Sequence, residues 1–388
     1  MRIAGIIAEY NPFHAGHAWH IAETRRLSGC DYVVVCMAGH FTQRGEPAVL
    51  SKWARARMAL TCGADAVFDL PALFAVRTAD TFARGGVMTL GGLGIDVLSF
   101  GSELDDLKTI QTLVGIQENE PKSVSCAIQQ RLAAGQSHPR AWGEAVAEYL
   151  GLPAGTLNRP NLILAMEYVR ALERYYPNAT PCAVRRLGEY HSEAMGEIAS
   201  ASAIRAAMAR GETDAAMAAI PEAARPWACP DAMHAMDDML MLRLRDMTEE
   251  ALRRLPDVTE GLESRLYRLC RETSTRDALL EALKCKRYTR ARLSRLLTHA
   301  LLGVDRAALD ENPTPTYARL IGLRDGAEPL LKEISARTTL PIASSGKALE
   351  GNPTFRLECR ATDVWSLLHD APEERLPGRE YTEKFVKI

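Results

Sequence analysis

The alternation of short apolar runs with amphipathic stretches over the first hundred residues constrains the fold more than any other feature. Ile3–Ala8 is apolar, and residues 17–27 have helical spacing. Residues 31–37 carry Val33, Val34 and Val35 in succession. Residues 51–62 are helical again, with Trp53, Ala56, Met58, Ala59 and Leu60. Residues 64–70 are strand-like, 78–90 helical, and 96–100 strand-like up to Gly101-Ser102-Glu103. The strand-like runs are apolar on both faces, as strands are when helices cover both sides of a sheet. A βαβαβ order of this kind predicts a parallel sheet, and hence an α/β fold.

The rest of the chain divides around that unit. Residues 104–116, 123–132 and 141–150 read as a helical insertion, about 104–160. Residues 161–175 form a further helix with Leu164, Met166, Tyr168, Val169 and Leu172 on its apolar side. Residues 182–187 return to strand character, and Ser200 is placed to cap a helix over 200–210. The α/β unit is expected to close near 215. Pro221, Pro226 and Pro230 mark a linker, the pattern is helical from about 235 to Pro341, and residues 381–388, with Phe385 and Val386, form a strand-like or irregular tail. At 388 residues the chain exceeds one ordinary domain. The expected division is an α/β domain at 1–215 and a mainly helical domain at 216–388.

Net charge is −2, so no global field draws the chain to nucleic acid or membrane. Residues 251–300 nevertheless carry twelve Lys or Arg against six Asp or Glu. No uncharged apolar run reaches the length of a membrane span. The N-terminus lacks a small-residue cleavage site and reads as a buried strand rather than a signal peptide. Cysteines at 30, 36, 62, 126, 182, 229, 270, 285 and 359 show neither CxxC nor zinc spacing. That scatter fits a reducing cytoplasm, with neither a disulfide framework nor a metal ligand set.

The loop after the first strand, Glu9-Tyr10-Asn11-Pro12-Phe13-His14-Ala15-Gly16-His17, carries the chemistry. Pro12 keeps Asn11 extended, and Gly16 lets a ligand approach the backbone. His17 begins a helix whose free N–H groups and positive dipole end attract anions. His14 and His17 could both face a bound phosphate and donate hydrogen bonds to charge developing on the phosphate bridge during displacement at the α-phosphorus. Four letters have little specificity alone. Their position at the first crossover of a parallel sheet, where ligands sit at strand carboxyl ends, supplies it.

The HxGH after the first strand resembles the HIGH-signature nucleotidyltransferases. GIIAEYNPFHAGH, MAGHFTQRGEPAVLSKWARARMAL, DLP, FGSE, PNLILAMEY, RRLGEYHS, SASAIR and KRYTRARLSRLLTHALLG, in that order, resemble the tRNA(Met) cytidine acetate ligases over nearly the whole chain. The resemblance implies a Rossmann-like nucleotidyltransferase domain with a helical insertion and a mostly α-helical C-terminal domain. It implies a two-step reaction: ATP and acetate give acetyl-adenylate and pyrophosphate, and the acetyl group passes to N4 of the wobble cytidine of elongator tRNA(Met). It makes His14 and His17 catalytic. It places Ile7, Ala8, Glu9, Tyr10, Asn11, Pro12, Phe13, His14, Gly16, His17, His20, Gly101, Asn161 and Arg186 at ATP, and Ser200, Ser202 and Arg205 at its phosphates. Magnesium is expected with the ATP, without a nameable protein ligand. Gln43, Arg44 and Lys52, in and after a second Gly-rich loop, are candidates for acetate or pyrophosphate. The chain departs from the family at Ala15, Ala38, His40, Asp69 and Ser202. None removes a histidine, and His40 adds a titratable group near the expected site.

Residues 291–302 put Leu293, Leu296, Leu297, Ala300 and Leu301 on one side of a helix and Arg292 and Arg295 on another, after Lys284, Lys286, Arg287, Tyr288 and Arg290. The pattern predicts an outward cationic ridge with an interleaved aromatic, suited to a single-stranded tRNA loop. Two other readings compete: a nucleotidyltransferase that adenylylates a small phosphorylated metabolite, and a non-catalytic RNA-binding protein on an ATP fold.

Overall fold

A computed structural model describes residues 1–186, 199–228, 236–259, 261–285 and 287–388. Eight strands form one sheet: β1 (Ile3–Ala8), β2 (Tyr32–Ala38), β3 (Ala66–Leu70), β4 (Val97–Ser102), β5 (Thr180–Arg185), β6 (Ala318–Leu323), β7 (Ile342–Ala343) and β8 (Val386–Lys387). Their order is β5-β4-β1-β2-β3-β6-β7, with β8 also beside β6. The pairs β1–β2, β2–β3, β1–β4 and β4–β5 are parallel. β6 runs antiparallel to β3, with a register irregularity between Val67 and Phe68.

The valine run shows why these segments are strands. In β2, Val33, Val35 and Met37 enter one core and Val34, Cys36 and Ala38 the other, all fully buried. The first core holds Ile21, Trp53, Ala56 and Leu60 from the helices Ala15–Ser28 and Lys52–Thr61. The second holds Phe82, Val87 and Leu90 from the helix Ala79–Gly92, and Leu162, Met166 and Val169 from Pro160–Tyr175. Each such valine or leucine contributes roughly 1.5–3 kcal/mol by leaving water. The insertion helices Leu107–Glu118, Lys122–Ala133 and His138–Leu150 stand where expected.

The stretch from 235 to 341, expected to be helical throughout, contains β6 and approaches β7. All six residues of β6 are buried. A six-residue apolar run carries no period that separates a strand from a buried helical turn, and β3, some 250 positions earlier, is what makes this one a strand. The C-terminal half, mostly helical as anticipated, thus lends β6, β7 and β8 to the sheet. Among the described residues no helix is long and apolar enough to cross a membrane.

β1 leads forward to β2 on one side and has β4 on the other. The carboxyl ends of β1 and β4 therefore flank a topological switch point, where open α/β sheets bind ligands.

Candidate active site

His14 caps the first helix in an extended conformation, φ −146° and ψ 174°. Its Nδ1 accepts from Gly16 N at 3.0 Å, and His17 Nδ1 accepts from His14 N at 3.3 Å. The two imidazoles thus make a reciprocal capping box, a role more often filled by Ser or Thr with Glu. Because both Nδ1 atoms accept, both protons reside on Nε2. The rings lie 3.8 Å apart. Burial, then the charges of Arg186 and Arg205, lower His14 to about 3. Burial, His14 and Arg186 hold His17 well below the usual imidazole range. Burial and Arg186 lower His20 to about 4. At neutral pH the pair are uncharged Nε2–H donors, and the positive charge of the site comes from arginines.

The expected free backbone N–H groups are not what the helix offers. Ala15 N donates to Ala219 O at 3.1 Å and Gly16 N to His14. Ala219 and the capping box take these donors, so the amino end presents ring N–H groups and the helix dipole instead.

A cavity of about 740 Å³ opens over these rings. Ile7, Ala8, Glu9, Tyr10, Asn11, His14, Gly16, His17, His20, Gly101, Asn161 and Arg186 line it, as do Ser200, Ser202, Arg205, Gln43 and Arg44. Pro12 and Phe13 do not. Phe13 is fully buried edge-on to Tyr10 and supports the loop from behind. Asn161 bridges two elements, donating to Glu103 Oε1 at 2.6 Å and accepting from Arg186 Nη1 at 3.0 Å. A Cβ at Gly101 would come within 3.2 Å of Arg186 Cγ, so glycine lets that arginine lie across the strand end. Arg205 Nη1 donates to Asn11 O at 2.6 Å and ties the helix Ala201–Ala209 to the first loop. Ser200 caps that helix, accepting from Ala203 N at 3.1 Å, and lies 2.9 Å from Ser202 Oγ. Residues 187–198, which hold most of the RRLGEYHS segment, lie outside the described residues.

Lys52 does not reach the cavity. Its side chain is fully buried, with Nζ 2.5 Å from Asp69, 2.9 Å from Glu358 and 2.7 Å from Glu380. Burial opposes the charge, but the three carboxylates overcome it and hold the ammonium above its ordinary range. His40 also faces inward, between Trp53 and Trp365. Its Nε2 accepts from Lys52 N at 3.3 Å, which leaves Nδ1–H to donate to Thr362 Oγ1 at 3.0 Å. His40, Glu358 and Glu380 are the one cluster with metal-ligand geometry among the described residues. The Lys52 ammonium already bonds both of its carboxylates, and Arg319 pairs with Glu380 as well. In the cavity the lining carboxylates are Glu9 and Glu46, and Glu9 Oε1 is held by Gln43 N at 2.6 Å. Among the described residues no carboxylate cage for magnesium is formed there.

The outward ridge is also corrected. In the helix Arg290–Leu302 every residue from Leu293 to Leu302 is buried. Arg295 points into the cavity beside Arg290, and Arg290 pairs with Asp277 and Glu281 at 2.6 and 2.7 Å. Tyr288 is 5% exposed and donates to Thr259 O at 2.9 Å. Arg292 lies over its ring at 5.0 Å. The tyrosine is packing, not an exposed platform. Lys284 and Arg287 are exposed, and Lys286 lies outside the described residues. The reason is the second loop: Gly45 O accepts from Thr298 Oγ1 at 2.7 Å and Arg276 Nη2 at 3.0 Å, and Arg44 O from Ser294 Oγ at 2.5 Å. This docking covers the face expected to meet solvent.

Arg276 and Ser294 line the cavity without having been singled out from sequence. Nothing local marks Arg276. Ser294 and Thr298, spaced i,i+4 on one helix face, were the readable sign. Arg276 Nε and Arg295 Nε are buried donors without a hydrogen-bond partner, so the C-terminal end of the cavity is prepared for an anion.

Residues 1–379 match the family described as HIGH Nucleotidyl Transferase. The chain is 33% identical to the tRNA(Met) cytidine acetate ligase of Acetivibrio thermocellus over all of both chains. It is 35% identical to that of Bacillus subtilis, covering 96% of this chain and 94% of the relative. Among solved structures it is similar to Thermotoga maritima TmcAL bound with alpha-thio ATP, with a TM-score of 0.89 and 28% identity over the full length of both.

Proposed function

The chain belongs to the tRNA(Met) cytidine acetate ligases of the HIGH nucleotidyl transferase family, and on that premise we propose that it is an ATP-dependent ligase joining acetate to the wobble cytidine of elongator tRNA(Met). The observation that carries the chemistry is the histidine capping box. It fixes two neutral Nε2–H donors at the amino end of the first helix, on the rim of the cavity.

The acetate carboxylate attacks the α-phosphorus of ATP, and the bond to pyrophosphate breaks. His14 and His17 donate to the oxygens on which charge grows, and Arg186 and Arg205 offset that charge. Ser200, Ser202 and the helix they open receive the β- and γ-phosphates. Gly101 and Asn161 flank the adenosine. Gln43 and Arg44 meet the acetate or the leaving pyrophosphate. Magnesium would arrive on the triphosphate with its own waters. In the second step the cytidine N4 attacks the acetyl carbon and AMP leaves. Residues 1–215 supply the adenylation machinery. Residues 216–388 bring Arg276, Arg290 and Arg295 to the far end of the cavity, where an RNA phosphate would sit, with Lys284 and Arg287 on the approach.

The test is labelled acetate with ATP and the tRNA. Label is expected in the RNA, together with acetate-dependent exchange of pyrophosphate into ATP. Exchange that ignores acetate and needs a phosphorylated metabolite would overturn this reading. So would label that enters only from acetyl-CoA.

A further inference from the structure

The cavity is lined by Arg186 and Arg205, whose charges reach His14, and by Arg276, Arg290 and Arg295 from the C-terminal half. A polyphosphate and an RNA backbone both suit such walls. Glu46 and Glu9 both depart from that pattern, and Glu9 is the one in the histidine loop. Glu9 lines the same cavity, half-buried, and its charge there opposes a bound anion.

Its position is tightly defined. Glu9 follows β1, and its carbonyl accepts from Arg55 Nη1 at 2.6 Å. Arg55 is fully buried and also donates to Ala38 O at 2.9 Å, so the strand ends of β1 and β2 are stapled together. Glu9 Oε1 accepts from Gln43 N at 2.6 Å. The carboxylate therefore sits where the first loop meets the second, and the second loop is the one docked on the helix Arg290–Leu302. Arg205 and Arg44 line the same cavity, and their charges reach Glu9.

We propose that the Glu9 carboxylate accepts a hydrogen bond from the exocyclic amine of the acceptor cytosine and takes its proton during acetyl transfer. The proposal rests on the ligase reading above. A carboxylate is the natural acceptor for cytosine N4–H₂ and would repel the O4 carbonyl of uracil. The N4 lone pair is delocalised into the ring, so the amine becomes an adequate nucleophile only as its proton departs. In the step, the N4–C(acetyl) bond forms and the bond from the acetyl carbon to the AMP oxygen breaks. One N4 proton moves to Glu9 and then to solvent, and AMP leaves as the anion. Burial raises the Glu9 carboxyl above its ordinary range, the direction that strengthens it as a base. The Gln43 N–H, Arg205 and Arg44 lower it, and Glu46 raises it. The Arg55 charge and the Tyr168 phenol face it from the helices Lys52–Thr61 and Pro160–Tyr175.

The experiment separates the half-reactions in the full-length enzyme. Glu9→Gln keeps an acceptor for Gln43 N, and Glu9→Asp keeps the charge. Acetate-dependent pyrophosphate exchange and single-turnover transfer of labelled acetyl to tRNA are followed from pH 5.5 to 8. Wild-type transfer is expected to fall more steeply than exchange as pH drops, because protonation of Glu9 removes the base that only transfer uses. In E9Q transfer should fall about 100-fold relative to exchange and lose this pH dependence, with partial recovery in E9D. Equal losses in both half-reactions, with a lowered melting temperature, would mean that Glu9 only anchors the loop. Wild-type transfer in E9Q would overturn the proposal outright. Absence of acetate-dependent exchange in the wild type would instead strike the ligase reading.

Discussion

The chemistry rests on which nitrogen of each histidine carries the proton. His14 and His17 cap the helix through Nδ1, so Nε2–H is fixed by the backbone rather than by a ligand. Nitrogen chemical shifts of the labelled imidazoles should report the Nε2–H tautomer for both, with no titration between pH 8 and 5. The linkage has a definite sign. His14 and His20 are lowered from 6.5 to about 3 and about 4, so the unfolded chain binds these protons first. The stability tied to the neutral rings is complete above about 6.5 and is lost as pH falls toward 3. Lys52 is the opposite case. The sequence placed it beside a ligand loop, and the structure puts it among Asp69, Glu358 and Glu380. Lys52→Met should leave the KM for acetate unchanged in what folds. It should cost about 3–5 kcal/mol, because Asp69 and Glu358 lose their ammonium partner and Glu380 is left with Arg319. A thermal melt against the wild type, alongside the KM, checks both halves.

At the scale of elements, the site depends on a loop-to-helix contact. Gly45 has φ +71°, and a Cβ there would lie 2.8 Å from the backbone of Arg295. Gly45→Ala is expected to cost about 1–3 kcal/mol in backbone strain alone. It should also push the second loop off the helix, moving Arg44 and Gln43. The observable is a rise in KM for acetate or ATP larger than the change in melting temperature would explain. The strands and helices of residues 1–103 were legible because period and length agree there, and the observed ends differ from the expected ones by only a few residues. β6 was not legible, since Ala318–Leu323 reads equally as a buried helical turn until β3 is beside it. The basic helix was legible as a helix but not in its orientation. Leucine spacing identifies one apolar side, but Ser294, Thr298 and His299 are buried too, against Arg44, Gly45 and Val76.

At the scale of the molecule, the two halves are interdependent. β6 closes the edge of β3, and Val386 pairs beside Gly322. Glu358 bonds Lys52 and also the Ala72 amide at 2.7 Å. A chain ending at residue 215 should therefore not fold as a unit. Low soluble yield and the absence of a cooperative melt are expected. A stable, nucleotide-binding fragment would show that the sheet tolerates an open edge at β3.

The order of strand and helix and the paired histidines followed from local sequence, because backbone periodicity and capping are decided by residues within a few positions of one another. Which charges line the cavity and which are sealed inside was settled only by the folded chain. Lys52 meets Glu358 across 306 positions, and Arg295 turns inward because Gly45 lies against its backbone. A side chain's burial is set by what packs on it from elsewhere in the chain, and no window along the sequence contains that neighbour.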